Sequence, residues 1–384
     1  MQLLFKPLAV VSLVSLLSFS PAVQKSKPVA GNKPTPKIQV AILLDVSGSM
    51  EGLIQQAKEQ LWNMVTTLGK AKCTDQAQPQ VELALYEYGR TTNDVAKGYV
   101  KQLSPFTNDL DEVSKILFGL KTDGGAEYCG QVIFTSIDEL KWETGTDHYK
   151  VIFIAGNEDF LQGNLHYTKA CNNAREKGVI VNTLYCGSYE RGIAEHWNLL
   201  GECGNGSFTN IDHNAKEPDI YTPYDTTLMV LNQQLNNTYI GYGAMGIANA
   251  TRQQEQDRLN YALSKQAGMK RAEAKAKSNV YNNASWDLVD AVKADTSYFR
   301  RVDRNTLPDS LKNKTAEQLR QLVLDKTAER EKIQKEIQEL SANRSKYIAE
   351  VKARLIKENP NATLETAVEK TIKEQVQRAN MKID

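Results

Sequence analysis

The sequence predicts a doubly wound α/β domain with a mostly parallel six-stranded sheet, followed by an all-α helical extension. Six short runs that are apolar or alternate in polarity predict the strands: IQVAILL (38–44), VELALYEY (81–88), GYVKQL (98–103), KVIFIA (150–155), VIVNTLY (179–185) and SFTNI (207–211). Amphipathic stretches lie between these runs, as expected when helices cover both faces of a parallel sheet. After Gly243 the strand pattern stops, and Lys, Glu, Gln and Ala dominate the remaining sequence.

The first residues have the pattern of a secretory signal peptide. Residues 1–22 combine Lys6, an apolar core from Leu8 to Phe19 and small residues at Ser20 and Ala22, and we expect cleavage after Ala22. The apolar core is shorter than the roughly 20 residues that span a bilayer. Residues 23–37 then form a linker rich in Pro, Lys and Gly. We therefore expect an exported protein, periplasmic or secreted, with no membrane span in the mature chain.

The domain boundaries follow from the change in pattern. We place the α/β domain at residues 38–240 and the helical extension at 241–384. A heptad in the extension predicts a possible coiled coil at about 315–357, through which the chain could self-associate. Its apolar positions are Leu319, Val323, Ile333, Ile337, Leu340, Tyr347 and Val351. Lys326, Arg330 and Arg344 fall in the same seam, which favours a helix packed on its own neighbours over a dedicated coiled coil.

Charge and motifs restrict the classes of function. A net charge of +1 gives no electrostatic reason to expect nucleic acid as a partner. There is no G-x-S-x-G elbow and no P-loop lysine motif, and the histidines are isolated from one another. We therefore expect a binding protein and not an enzyme.

The cysteines would meet an oxidising compartment after export. The chain has five, an odd number, and lacks the spacing of a zinc site. Cys129, Cys171 and Cys186 are the candidates for disulfide bonds, and the sequence does not decide their pairing.

The stretch AILLDVSGSM places one carboxylate and two hydroxyls at the tip of the first strand. In doubly wound sheets, ligands bind beyond the carboxyl ends of the strands, where the strand order reverses. Asp45, Ser47 and Ser49 offer only oxygen atoms, a ligand set that suits Mg²⁺. The alternative interpretation is that Asp and Ser cap the following helix.

The DVSGSM motif, between an apolar strand and a helix, resembles the D-x-S-x-S metal-ion-dependent adhesion site of von Willebrand factor type A domains. LYEYG, GGAEYCGQVI, FIAGNEDF and YDTTLMVLNQQLNNTYI, with the helical tail, resemble an exported bacterial group of such proteins. The resemblance implies a Rossmann-like, doubly wound fold. It also implies a divalent cation, most often Mg²⁺ with Mn²⁺ or Ca²⁺ possible, whose shell is completed by an acidic side chain of a protein ligand.

Only part of the family's site carries over. Asp45, Ser47 and Ser49 match the first element, and Glu127 is the preferred candidate for the second, with Thr122 as a tentative alternative and Asp123 as a weaker one. The third element is usually an aspartate directly after the fourth strand. The strand here ends FIAGNEDF, so Gly156 or Asn157 stands at that position, and Asn157 is a tentative ligand, with Glu158 or Asp159 as other oxygen donors.

Two functions remain from the sequence. The first is cation-dependent, adhesion-type binding of a protein or other acidic ligand. The second is a structural or scaffold role in the envelope, with a degenerate metal site and a helical tail as the active surface.

Overall fold

The computed structural model describes residues 35–214, 219–355 and 364–383. The predicted signal peptide and residues 23–34 of the predicted linker lie outside the described residues. The described residues form one compact unit. The predicted boundary at residue 240 therefore separates two kinds of structure that pack within the same unit.

The main sheet has six strands in the order β4-β3-β1-β5-β6-β7. All neighbours are parallel except β4, which pairs antiparallel to β3 at one edge. The strands are β1 (Lys37–Asp45), β3 (Gln80–Tyr88), β4 (Lys101–Thr107), β5 (Tyr149–Gly156), β6 (Ile180–Cys186) and β7 (Phe208–Ile211). The sequence predicted all six, most of them to within a residue or two, because buried parallel strands are short continuous apolar runs.

Six helices belong to the α/β part. They are α1 (Glu51–Leu68), α2 (Leu110–Gly119), α3 (Cys129–Glu139), α4 (Tyr167–Lys177), α5 (Tyr189–Ala194) and α6 (Trp197–Cys203). Alternate residues of β1 point to opposite faces of the sheet, and each face has its own core. Val40 and Leu44 pack in a core with residues of α1 and α2, whereas Ala41 and Leu43 pack in a core with residues of α3, α4 and α6.

The rest of the described chain is helical. Its helices are α7 (Asp225–Asn236), α8 (Gly246–Leu263), α9 (Lys265–Lys275), α10 (Leu288–Ala294), α11 (Asp309–Lys312), α12 (Ala316–Leu355) and α13 (Leu364–Gln375). Within the described ranges, none of the helices combines the length and the apolar character that a membrane span requires.

Two short strands that were not predicted from the sequence connect the last described residues to the α/β part. β2 (Ala71–Cys73) pairs antiparallel with β8 (Met381–Ile383), and α13 packs against α1. Gln375 lies buried below the sheet, where its side chain accepts hydrogen bonds from Tyr149 Oη at 3.1 Å and from Asn182 Nδ2 at 3.0 Å. The last described residues therefore complete the α/β domain and do not form a separate tail.

The predicted coiled-coil segment is a single long helix, α12, and its apolar seam packs within the chain as far as Ile337. The charged seam residues explain why. Arg330 is buried and donates to Asp287 Oδ2 and Asp290 Oδ1, both at 2.7 Å, while Arg344 donates to Asp225 Oδ1 at 2.8 Å. Because each of these arginines pairs with a carboxylate of the same chain, the seam serves intramolecular packing, as its charges predicted. Self-association through the extension stays a prediction.

A polar cluster around the buried side chain of Arg271 connects the helical extension to the α/β part. Arg271 of α9 is 1% exposed and pairs with Asp111 of α2 at 2.6 Å and with Asp257 of α8 at 2.5 Å. Its guanidinium also lies over the ring of Trp62 of α1, 4.6 Å from the centroid. Tyr281 donates to the second oxygen of Asp111 at 2.8 Å. Since this cluster joins four helices, we expect it to be a main determinant of how the extension docks.

Candidate metal-binding site

Asp45 is the last residue of β1, at the point where the strand order of the main sheet reverses. β1 lies between β3 and β5, and the chain builds the sheet outward from it in both directions. A crevice forms at such a reversal because the connections after the two neighbouring strands run to opposite faces. The residues that border it here follow β1 and β5, namely the DVSGSM motif and the loop that begins at Asn157.

The motif loop folds back on Asp45. The Ser47 backbone N–H donates to Asp45 Oδ1 at 2.7 Å, and the hydroxyl oxygens of Ser47 and Ser49 face each other at 3.4 Å. The Ser47 hydroxyl makes no capping hydrogen bond to the helical turn that follows. Asn157 Nδ2 donates to Ser49 Oγ at 3.2 Å. The structure therefore does not support helix capping as the role of Ser47. The hydroxyl oxygens of Ser47 and Ser49 remain available to a ligand.

Glu127 lies beside Asp45, in the loop before α3. A methyl group placed on Gly89 would be 2.9 Å from Asp45 Oδ1 and 3.0 Å from Glu127 Cγ, so both acidic side chains pack against the same backbone position. Asp45 is fully buried and Glu127 is 5% exposed. One oxygen of each, Asp45 Oδ2 and Glu127 Oε2, is buried and receives no hydrogen bond from any other described residue, while the two carboxyl groups lie within hydrogen-bonding reach of each other. Such atoms are costly unless something satisfies them.

Burial is the largest cause of the raised pKa values of these two carboxyl groups. It raises the pKa of Asp45, and it raises the pKa of Glu127 to about 9, with the neighbouring charge of Asp45 adding to the effect. Two carboxylates cannot both ionise cheaply in a buried site. At neutral pH and without a cation, the pair of carboxyl groups therefore holds a proton.

We predict a pH dependence of stability from Glu127. A glutamate in the unfolded chain titrates near 4.5, far below the folded value of about 9, so the folded state binds more protons between these limits. The stabilisation is complete below the unfolded pKa and is lost as pH rises through the folded one. In chelator, the free energy of unfolding from denaturant titrations should fall from pH 5 toward about pH 9. Glu127→Gln should flatten this slope, and equal slopes in both proteins would contradict the prediction.

The side chains of the other two candidates for the second element have other surroundings in the structure. Thr122 lines a cleft together with Gln55 and Lys58 of α1. Asp123 donates its backbone N–H to Val46 O at 2.8 Å, while its carboxylate accepts a hydrogen bond from Thr91 Oγ1 at 3.0 Å. Of the three alternatives considered from the sequence, Glu127 is the one whose side chain the fold places against Asp45.

The absence of an aspartate directly after β5, the fourth strand predicted from the sequence, has a steric cause. A Cβ on Gly156 would lie 2.5 Å from Tyr88 Oη and 3.1 Å from Asp45 Oδ2. Tyr88, the last residue of β3, is paired in register with Asp45, and its hydroxyl donates to Ala155 O on β5 at 2.9 Å. The phenol thus occupies the space that a side chain at position 156 would need. Nothing in the sequence marks Tyr88, since its role depends on strand register.

The cysteines differ from the sequence prediction. Cys171 of α4 is bonded to Cys203 of α6, which was not among the candidates. Cys129 and Cys186, which were, are buried thiols and have no disulfide partner in the described residues. The Cys129 Sγ lies 3.8 Å from Tyr88 Oη, inside the core next to the site. The prediction of disulfide bonds at Cys129 and Cys186 is therefore wrong: Cys129 begins α3 and Cys186 ends β6, whereas the bonded pair joins two helices that pack on β6.

The donor set suits a hard divalent cation. It comprises two carboxylates with unsatisfied buried oxygens, two facing hydroxyls and one amide, all oxygen donors. Within the described residues, no group of three or more His, Cys, Asp or Glu side chains is placed to hold a metal, so this set depends on its neutral oxygens. Mg²⁺ accepts few carboxylates and keeps several waters, whereas a softer metal would favour imidazole or thiolate ligands.

The sequence matches no protein-family model and no curated protein. Among solved structures, the chain is similar to a von Willebrand factor type A protein from Catenulispora acidiphila, with 13% identity over 46% of this chain and 39% of that one, at a TM-score of 0.34. It is also similar to proximal thread matrix protein 1 from the mussel byssus with a zinc-occupied metal-ion-dependent adhesion site (13% identity, 46% of this chain, 42% of that one, TM-score 0.34). A third is the pilus adhesin SpaC from Lactobacillus rhamnosus GG (12%, 47%, 28%, TM-score 0.34).

This chain spans less than half the length of each of these three proteins. At such identities the likeness concerns the fold alone, so we rely on the strand order and on the site. The order β4-β3-β1-β5-β6-β7, the antiparallel edge strand and the D-x-S-x-S motif at the end of β1 identify residues 37–211 as a von Willebrand factor type A fold, as the sequence resemblance predicted.

Proposed function

We propose that this protein binds a protein ligand through a divalent cation held by Asp45, Ser47, Ser49 and Glu127. One observation carries the proposal: two adjacent buried carboxyl groups, each with an oxygen to which no other described residue donates a hydrogen bond, lie beside two facing hydroxyls at the strand-order reversal. A cation bound there would satisfy both oxygens and replace the proton that the pair otherwise holds. The most suitable ion is Mg²⁺, with Mn²⁺ and Ca²⁺ as alternatives.

The ligand we propose is an acidic side chain of another protein. A cation with an open coordination position attracts a carboxylate, and the attraction is stronger in a partly desolvated crevice than in bulk water. We place this interaction at the strand-end crevice and not on the helical extension, because the apolar seam of α12 packs within the chain up to Ile337. Binding without catalysis is part of the same proposal.

We also propose that the protein acts outside the cytoplasm. The Cys171–Cys203 disulfide supports this location, because disulfides persist in oxidising compartments and are rare in the cytosol.

Cation binding is tested by titrating Mg²⁺, Mn²⁺ and Ca²⁺ separately into chelator-treated protein, with calorimetry and thermal unfolding as readouts. At a hundredfold excess over Kd, a bound cation should stabilise the folded state by about 2.7 kcal/mol. Asp45→Ala should abolish the response. Asp123→Asn, a change in the neighbouring acidic loop outside the cluster, should preserve it. No response of the wild type to any of the three ions, or an undiminished response of Asp45→Ala, would refute the proposal.

Ligand chemistry is tested with two immobilised peptides that differ only in one central residue, glutamate or glutamine. We expect the wild type to bind the glutamate peptide in Mg²⁺ and to release it on addition of chelator, because only a carboxylate completes the shell of the cation. Equal binding of both peptides would contradict the proposed acidic ligand while leaving cation binding intact.

A further inference from the structure

A cleft of about 170 Å³ lies between the first two turns of α1 and the loop that follows α2. Two buried apolar residues form part of its wall, Ile54 of α1 and Leu120 of the loop. The same loop contacts the motif loop, because the Asp123 backbone N–H donates to Val46 O at 2.8 Å. The cleft and the candidate cation site are therefore connected through one short loop and the start of one helix.

Lys58 of α1 lines this cleft and is 8% exposed. Its side chain forms no hydrogen bond or ion pair with any described residue, and its Nζ lies 5.8 Å from the centroid of the Phe118 ring. Burial lowers the pKa of Lys58, and the charge of Glu51 opposes this effect. A buried ammonium group without a carboxylate partner destabilises a fold, so packing alone does not explain a lysine at this position.

Three further side chains around the cleft can donate hydrogen bonds to a ligand. They are the amide of Gln55, the ammonium group of Lys121 and the hydroxyl of Thr122. In the part of the chain that the structure describes, none of these three donors is used in a hydrogen bond or an ion pair. Glu51, which is exposed, also lines the cleft, so two lysines and one glutamate give the lining a formal charge of +1. Unused donors and a positive charge favour an anion as the ligand.

We propose that this cleft is an anion-binding subsite, in which Lys58, Lys121 and Thr122 hold an oxyanion, a carboxylate or a phosphate group. The source that the position of the cleft favours is a second acidic residue of the proposed protein ligand, and this part of the inference rests on the proposed function. Lys58 follows Ser49 by nine residues, which corresponds to about 13 Å along a helix. About four residues of an extended peptide span this distance. One acidic residue would then bind the cation while the other enters the cleft.

The first test needs no cation and uses inorganic phosphate as the probe. Thermal unfolding of the full chain is measured in chelator, in phosphate and in chloride at equal ionic strength. Phosphate stabilises most proteins weakly without binding to a site, so the comparison between variants carries the result. We expect Lys58→Met to gain about 2 °C less from phosphate than the wild type, at a phosphate concentration tenfold above Kd. Lys121→Met should also gain less.

Matched variants protect this test against an effect on folding. Lys169→Met, which changes an exposed lysine of α4, should gain as much from phosphate as the wild type. Methionine keeps most of the length of lysine without its charge, so Lys58→Met in chloride should unfold at the wild-type temperature or above it. Lys121 is exposed, and its replacement therefore tests the cleft without disturbing the core.

The second test uses the glutamate peptide at saturating Mg²⁺ and a second peptide with another glutamate four residues away. We expect the added glutamate to tighten the Kd of the wild type about tenfold. Lys58→Met should lose this gain and should bind the peptide with one glutamate as the wild type does.

The two tests separate the sources of the anion. A phosphate effect that depends on Lys58, without a gain from the second glutamate, assigns the cleft to free phosphate. If neither the phosphate effect nor the gain depends on Lys58, the inference is overturned, while the proposed function stands on its own cation titration. If the wild type binds neither peptide, the proposed acidic ligand is refuted, and the phosphate test alone decides whether the cleft binds anions.

Discussion

Replacing Gly156 by aspartate should destabilise the protein by at least about 3 kcal/mol instead of completing the metal site. The new Cβ would lie 2.5 Å from Tyr88 Oη, and the new carboxylate would be buried next to Asp45, which already shares its surroundings with Glu127. Overpacking and like-charge burial act in the same direction. The unfolding midpoint in denaturant, measured in chelator, gives the size of the loss.

A matched control separates the steric cause from the added charge. Gly124→Asp places the same side chain in the neighbouring acidic loop, where nothing lies within 4 Å of the new Cβ, so it should change stability by less than about 0.5 kcal/mol. Gly156→Ala combined with Tyr88→Phe should cost less than the sum of the two single changes, because the phenol oxygen is the nearest contact. Additive losses would show that Tyr88 is not the obstacle.

Arg271→Met should cost about 3–5 kcal/mol of folding free energy, the largest effect we expect outside the site. The guanidinium is 1% exposed and pairs with both Asp111, which is buried, and Asp257, which is partly buried, so its removal leaves both carboxylates with one cationic partner fewer. The aliphatic replacement fills much of the volume, which limits the loss of packing. Chemical denaturation measures the change.

Arg258→Met is the matched control for this prediction. Arg258 forms an exposed pair with Glu255 on α8, and exposed pairs contribute about 1 kcal/mol or less. A double-mutant cycle with Asp111→Asn isolates the contact between α9 and α2, and we expect a coupling energy above about 1 kcal/mol. Similar stability of Arg271→Met and Arg258→Met would mean that the extension docks mainly through its apolar contacts.

The sequence predicts the main sheet because its strands are short apolar runs, a local signal. It also places Asp45, Ser47 and Ser49, since residues at i, i+2 and i+4 of one loop remain close in any fold of that loop. The preference for Glu127 came from the resemblance, and the fold does place it against Asp45. The full composition of the site remains a prediction until a cation is bound to it.

Long-range features could not be predicted. The obstruction of position 156 depends on the register that pairs Tyr88 with Asp45 across β1 and β3, and no local pattern encodes it. The Cys171–Cys203 bond needs the positions of two helices on the sheet. Arg330 and Arg344 were recognised as unfavourable in a coiled-coil seam, but their carboxylate partners lie in other helices far along the sequence.

The pairing of β2 with β8 has a consequence for how this protein acquires its structure. Ala71, just after the first helix, pairs with Ile383, so the closing contacts span almost the entire described chain. Closing so long a loop has an entropic cost that contacts between sequence neighbours do not offset. Proteins with many contacts between residues far apart in sequence also fold more slowly. We therefore expect the pairing of β2 to form only after β8 has been synthesised. Until α13 covers α1, the apolar surface beneath it is open to chaperones.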